Sequence, residues 1–320
     1  MKSAPPVPVP VTLVTGFLGA GKTTLLNHIL ISTPMRRIAI IENEFGDLGV
    51  DGSLVGASPG SVFELNDGCV CCTVRDDLIE VFEQLLARAG EFDHVIIETT
   101  GLAEPVPVMR IFEQAAVRSA FMLDGVVTVV DAAHIEESLS DVDACSEQIA
   151  YADMLILNKA DQVSTGSIEA VEARLRQLNP LASLLRAEHA AVDVEAVLNL
   201  GGRPEEEQFP HTHHHTEHSH QHDDEIRSVA VETDGELDIA ALDVWLGQLS
   251  RNRDVLRMKG ILAVPNDPRR FVFNGVRRVV DVRPEQPWGS AARTSRIVFI
   301  GRGLDPESLQ GGFQACVIEG

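Results

Sequence analysis

Up to about residue 190, short β-rich apolar runs alternate with stretches whose apolar residues recur at helical spacing. Val9–Thr15, Arg37–Ile41, His94–Glu98, Val126–Asp131 and Met154–Leu157 are continuous enough to predict buried parallel strands. In Leu78–Ala89 the positions Leu78, Ile79, Val81, Phe82, Leu85 and Leu86 line one helical face, and Ile168, Val171, Leu175 and Leu178 line another. A further helix is predicted over Thr23–Ile31. Such alternation implies an α/β domain with a parallel sheet flanked by helices.

The pattern stops between Gly201 and Glu225, where Gly201-Gly202-Arg203-Pro204 leads into acidic residues and then histidines. No apolar periodicity survives there, which predicts a flexible linker. Afterwards Ile226–Thr233 is strand-like and Leu237–Leu249 helix-like. More strands are expected at Gly260–Val264, Arg270–Phe273, Arg277–Val282 and Arg296–Ile300. A last helix opens at Asp305-Pro306, with Asp as cap and Pro in the first turn. The chain therefore divides into residues 1–200, a linker over 201–225, and a smaller α+β domain over 226–320.

The sequence, 320 residues with 44% hydrophobic and 23% charged positions, has the composition of a soluble globular protein. A formal net charge of -22 disfavours nucleic acid and anionic membranes as partners, because both demand a basic surface. Met1–Pro8 is short and proline-rich without a signal-peptide core, and apolar runs such as Gly125–Val130 are strand-sized. A cytoplasmic location is expected, and its five cysteines begin as thiols.

Gly16-Phe-Leu-Gly19-Ala20-Gly21-Lys22-Thr23 matches the full P-loop pattern, with a strand before it and a helix after it. Glycines there let backbone N–H groups turn toward phosphates. Lys22 is placed to reach the β- and γ-phosphates, and the Thr23 hydroxyl to ligate Mg²⁺. Asn158-Lys159-Ala-Asp161 follows a predicted strand. The Asp161 carboxylate can accept from both N1–H and the exocyclic amine of guanine, a pair that adenine lacks, so GTP is expected over ATP. Glu98, ending another strand, is expected beside Mg²⁺, and the Gly101 N–H near the γ-phosphate. Asp131 gains no role from sequence beyond a structural one. Asp47, Asp51 and Glu98 are all open as the base for hydrolysis.

Cys69, Cys71 and Cys72 crowd three thiols into four positions, and Thr73-x-x-Asp76 suggests a helix start just behind them. Helix dipole and Arg75 both favour thiolate, the form that binds zinc or cobalt. A tetrahedral ion needs a further donor, and Glu42 is the first choice. A Cys69–Cys72 redox pair and a purely structural cluster are the alternatives. Seven of eleven histidines, His211, His213, His214, His215, His218, His220 and His222, fall in the linker as weak accessory metal ligands. Cys145, Cys316, His28, His94, His134 and His189 are isolated and expected to be structural.

Together these motifs resemble the CobW-type metallochaperone GTPases, grouped with the UreG and HypB nickel-insertion GTPases. Gly16–Thr24 is similar to the family P-loop, Glu42–Gly46 to its first switch loop, Cys69-x-Cys71-Cys72 to its metal motif, Glu98–Gly101 to its second phosphate-sensing motif and Asn158–Asp161 to its guanine loop. Leu256–Gly260, Arg278–Arg283, Pro287-Trp288-Gly289 and Ile297–Gly301 are similar to the family's carboxy-terminal domain. The resemblance adds Thr24 to the nucleotide contacts. It implies slow hydrolysis of GTP to GDP, zinc or cobalt binding, and a client metalloprotein or metal-inserting enzyme as partner. A homodimer is left open, and a metal buffer in which GTP is only structural is the alternative function.

Overall fold

The structure, a computed structural model, describes residues 7–43, 81–202, 226–252, 254–276 and 279–318. Its elements in order are β1 (Val9–Thr15), α1 (Lys22–Ser32), β2 (Ile38–Asn43), α2 (81–86), β3 (His94–Thr99), α3 (Val106–Met109), α4 (Ala115–Arg118) and β4 (Phe121–Asp131). There follow α5 (Ile135–Asp141), α6 (Asp143–Tyr151), β5 (Met154–Asn158), α7 (Thr165–Leu178), β6 (Ser183–Arg186) and α8 (Val194–Leu198). The remainder is β7 (Ile226–Thr233), α9 (Ile239–Leu249), β8 (Val255–Ala263), β9 (Arg269–Val276), β10 (Val279–Pro287), β11 (Ser295–Arg302) and α10 (Pro306–Gln314). These form two compact units.

The first unit is built on a parallel sheet of order β2-β3-β1-β4-β5-β6. Strand alternation decides what packs on each face. Val14, Ile96, Val127, Val129 and Ile156 point to one side, where Leu25, Leu26 and Ile29 of α1 and Val194, Val197 and Leu198 of α8 complete a buried cluster. Thr128 points the other way, and its hydroxyl donates to the Gln148 carbonyl of α6 at 2.7 Å. Phe82 of α2 stands edge-on to Phe112 and Phe121, with centroids 5.5 and 5.3 Å away. Each such side chain buried contributes about 1.5–3 kcal/mol against conformational entropy. The sheet is central to the site because the C-terminal ends of β1, β3, β4 and β5 lie side by side.

The second unit is an antiparallel sheet of order β10-β9-β8-β11-β7. Val231, Met258, Phe273, Ile297 and Phe299 share a face, covered by Leu242 and Leu246 of α9 and Leu309 and Phe313 of α10. Trp245 stands edge-on to Phe299 at 5.7 Å and stacks with Phe313 at 5.9 Å. The α/β fold with a smaller α+β second domain is as expected from the sequence pattern.

Boundaries differ where polar residues break an apolar run. β4 begins five residues earlier than expected because Phe121–Leu123 pair with Val9–Val11 across an irregularity at Val11/Thr12. β8 begins at Val255, since Arg257 and Lys259 are buried and belong to the strand despite their charge. β6 is four residues, three half-buried and Arg186 exposed, with no period to betray it. β10 runs on through Pro284 because an edge strand needs no amide on its open side.

Candidate active site

Between β1 and α1 the chain makes a glycine turn that no other residue could make. Gly16 has φ 137°, and a Cβ there would lie 2.2 Å from the Val129 carbonyl oxygen of β4. Gly21 has φ 108° and stands before α1 with no side-chain cap, so the first amides of α1 are left open to an anion. Lys22 is buried, and its Nζ donates to the carbonyls of Gly16 at 2.9 Å and Phe17 at 3.3 Å. Burial lowers its ammonium pKa, against a smaller opposing pull from Glu98. The Thr23 hydroxyl donates to Glu98 Oε1 at 3.4 Å, so the two predicted Mg²⁺ residues meet across the ends of α1 and β3. Such a hydroxyl and carboxylate are hard oxygen donors of the kind Mg²⁺ takes. Thr24 is exposed on the first turn of the same helix.

The end of β5 is tied directly to this cradle. Asn158 is buried; its Nδ2 donates to the Ala20 carbonyl at 2.9 Å and its Oδ1 accepts from the Ala190 amide at 2.8 Å. Lys159 follows in the left-handed region at φ 59°, and Asp161 stands exposed on the next turn. Lys159 Nζ pairs with Asp131 Oδ2 at 2.7 Å, and His134 Nδ1 lies 3.1 Å from the same oxygen. Burial would raise the Asp131 carboxyl, but bonds from Lys159, His134 and the Ala133 amide outweigh it and hold it below the usual carboxylate value. Asp131, expected to be structural, has a structural ion pair; sequence reasoning missed its pairing with Lys159, and also the loop 187–190, whose Ala187 carbonyl accepts from the Ala160 amide at 3.1 Å. Positive φ at His189 and Ala190 marks that loop, but neither residue type announces it.

Gly101 is the third predicted contact. A Cβ there would sit 2.5 Å from the Leu18 amide nitrogen, so the segment after β3 is pressed against the P-loop. From the other side Gln148 of α6 donates to the carbonyls of Gly101 and Ala103. A cavity of about 330 Å³ lies between Phe17 and Leu18 and the helices α5 and α6, with Asp131 and Gln148 in its wall.

Cys69, Cys71, Cys72, Thr73, Arg75, Asp76, Asp47, Asp51 and the histidine tract His211–His222 lie outside the described residues, as does the side chain of Glu42. Among the described residues no group of three His, Cys, Asp or Glu side chains is placed to hold a metal ion. Among them, too, no helix is long and apolar enough to cross a membrane. Cys145 and Cys316 are buried free thiols, and burial pushes Cys145 up to about 11, which leaves it protonated and inert. His94 is buried with its ring nitrogen 2.8 Å from the Thr12 hydroxyl.

Comparison with known proteins covers both units. Residues 10–186 match the model described as CobW/HypB/UreG, nucleotide-binding domain, and residues 226–317 match the cobalamin synthesis protein cobW C-terminal domain. The zinc chaperone CobW of Pseudomonas aeruginosa is 39% identical, over 94% of this chain and 89% of that protein. The zinc chaperone YjiA of Escherichia coli is 35% identical, over 96% of this chain and 98% of its own length. A crystal structure of Zn(II)-bound YjiA GTPase from E. coli superposes with a TM-score of 0.79 at 32% identity, covering 98% of this chain and all of that one.

Proposed function

Because the chain belongs to the CobW/HypB/UreG family and is a GTPase, we propose that it is a cytoplasmic zinc metallochaperone whose GTP cycle controls delivery of the metal to a client metalloprotein or metal-inserting enzyme. The observation that carries this reading is the near end-to-end likeness, across both units, to relatives that are zinc chaperones. Residues 1–200 form the GTPase domain, 201–225 a histidine-rich linker and 226–320 the carboxy-terminal domain.

In this reading the amides of Gly16, Gly19, Ala20, Gly21, Lys22, Thr23 and Thr24 wrap the phosphates. Lys22 swings from the Gly16 carbonyl, where it now donates, to the β- and γ-phosphate oxygens. What supports this is that Lys22 is a largely desolvated cation on two neutral carbonyls of the glycine turn, and a phosphate oxygen is a stronger acceptor. Thr23 and Glu98 would hold Mg²⁺, which would supply positive charge to offset that of the phosphates. Water attacks the γ-phosphorus, the bond to the β–γ bridging oxygen breaks, and GDP and phosphate leave. The Gly101 amide senses the γ-phosphate. Asp161 reads guanine, Lys159 lies along the base, and Asn158 braces the loop.

Zinc is the cargo. Cys69, Cys71 and Cys72 supply thiolates and Glu42 the fourth donor, with Co²⁺ as the other ion such a set accepts. The linker histidines collect metal loosely ahead of that site. Glu42 lies on β2 directly beside Glu98 of β3 in the sheet register. That adjacency supports a shared dependence: a γ-phosphate that orders the chain after β2 would tighten the metal site, and metal would tighten GTP binding by the same factor.

The test is zinc and cobalt affinity by competition titration, in GDP and in a non-hydrolysable GTP analogue, beside Cys71→Ser. Expected are an affinity at least tenfold higher with the GTP analogue and a loss of at least a hundredfold in the variant. Affinity indifferent to nucleotide would favour a metal buffer in which GTP is only structural.

A further inference from the structure

Gln148 is a neutral side chain on α6, 1% exposed, with no charge to pair and no place in any phosphate motif. Its Nε2 donates to two backbone carbonyls, Gly101 and Ala103, both at 3.1 Å. An amide nitrogen has two hydrogens, and both are spent on one short segment. The same contacts fix the amide's orientation, because the reversed amide would set an oxygen against two oxygens. Among the described residues the buried Oε1 atom has no hydrogen-bond partner. An unsatisfied buried acceptor is destabilising, and leucine at this position would avoid it at the expense of the Gly101 and Ala103 carbonyls, which would lose their donor. Stability of α6 alone does not account for a glutamine here.

The segment it grips matters to the site. On its far side Gly101 is pressed so closely against Leu18 of the P-loop that a Cβ would reach within 2.5 Å of the Leu18 nitrogen. The backbone of α6 is itself held to β4 through the Thr128 hydroxyl at 2.7 Å. Residues 101–103 thus sit between the P-loop and a helix anchored to the sheet, with Gln148 as the tie.

We propose that Gln148 is a positioning residue for GTP hydrolysis, which holds the Gly101–Ala103 backbone so that the Gly101 amide meets the γ-phosphate. The proposal rests on the GTPase reading above and on Gly101 as the contact. GDP carries no γ-phosphate, so the tie affects only the triphosphate state. A residue that merely supported the fold would affect both nucleotides alike.

The experiment uses the full chain with Mg²⁺, comparing the parent with Gln148→Leu, which removes both donors at similar volume. Turnover of GTP, affinity for a non-hydrolysable GTP analogue and affinity for GDP are measured together with thermal unfolding. The expected result is a kcat lower by roughly tenfold to a hundredfold, weaker analogue binding, and GDP affinity within about twofold of the parent. Unchanged turnover would overturn the proposal, as would parallel loss of both affinities. Should Gln148→Leu not fold, Gln148→Met, unbranched and of similar length, answers the same question. Gly101→Ala, whose Cβ would press on Leu18 of the P-loop itself, is expected to lower both affinities and supplies the non-selective pattern that Gln148→Leu should not show. A parent chain that neither binds the analogue nor hydrolyses GTP would instead refute the GTPase reading.

Discussion

The residues at this site differ in how far away their partners lie, and that distance governs what sequence alone discloses. The P-loop is legible because its glycines, lysine and threonine act through local backbone geometry: Gly16 and Gly21 sit at φ values that favour glycine. Asp131 and Gln148 are not, because their partners are Lys159, 28 positions on, and Gly101, 47 positions back. No spacing rule spans such gaps. Asp131 holds the lysine that we assign to the base, so Asp131→Asn is expected to weaken GDP binding by about tenfold, measured by fluorescence titration. Since Asp131 is held below its ordinary value, its ion pair is intact at neutral pH and is lost only as pH falls through that lowered value.

Elements are legible where burial on both faces gives an unbroken apolar run, as in β1, or where alternation holds over most of the strand, as in Val229–Thr233 of β7. They are hidden where charge lies inside, as in β8, or where length is too short for any period, as in β6. The segment with the thiols lies outside the described residues, so the metal half of the candidate site rests on motif alone. One link between strands has a measurable pH signature. His94 of β3 faces Thr12 of β1, and burial, aided by Arg36, lowers its pKa to about 4. Unfolded, it titrates near 6.5, so above that pH its contribution is fully present. As pH falls from 6.5 toward 4 the unfolded chain gains a proton that the folded chain refuses. Stability is expected to drop by roughly 3 kcal/mol across that window. Urea unfolding at stepped pH checks this, and His94→Gln should flatten the slope.

The molecule as a whole carries two separate cores, one against the parallel sheet and one against the antiparallel sheet. Positive and negative side chains nearly balance after residue 226, so the acidic excess behind the net charge of -22 belongs to the remainder of the chain. Two cores of different make-up predict two calorimetric transitions. GDP with Mg²⁺ is expected to raise only the transition of the parallel-sheet unit. The gain is about 2.7 kcal/mol at a hundredfold excess of nucleotide over its dissociation constant. A single transition that moves as one would contradict it.

Asn158 joins Ala20 to Ala190 with two hydrogen bonds from one buried amide. The loop proposed to cradle the phosphates and the loop 187–190 are therefore fastened by the same bolt. Whatever shifts the phosphate loop at Ala20 is thus felt at Ala190 through a single side chain.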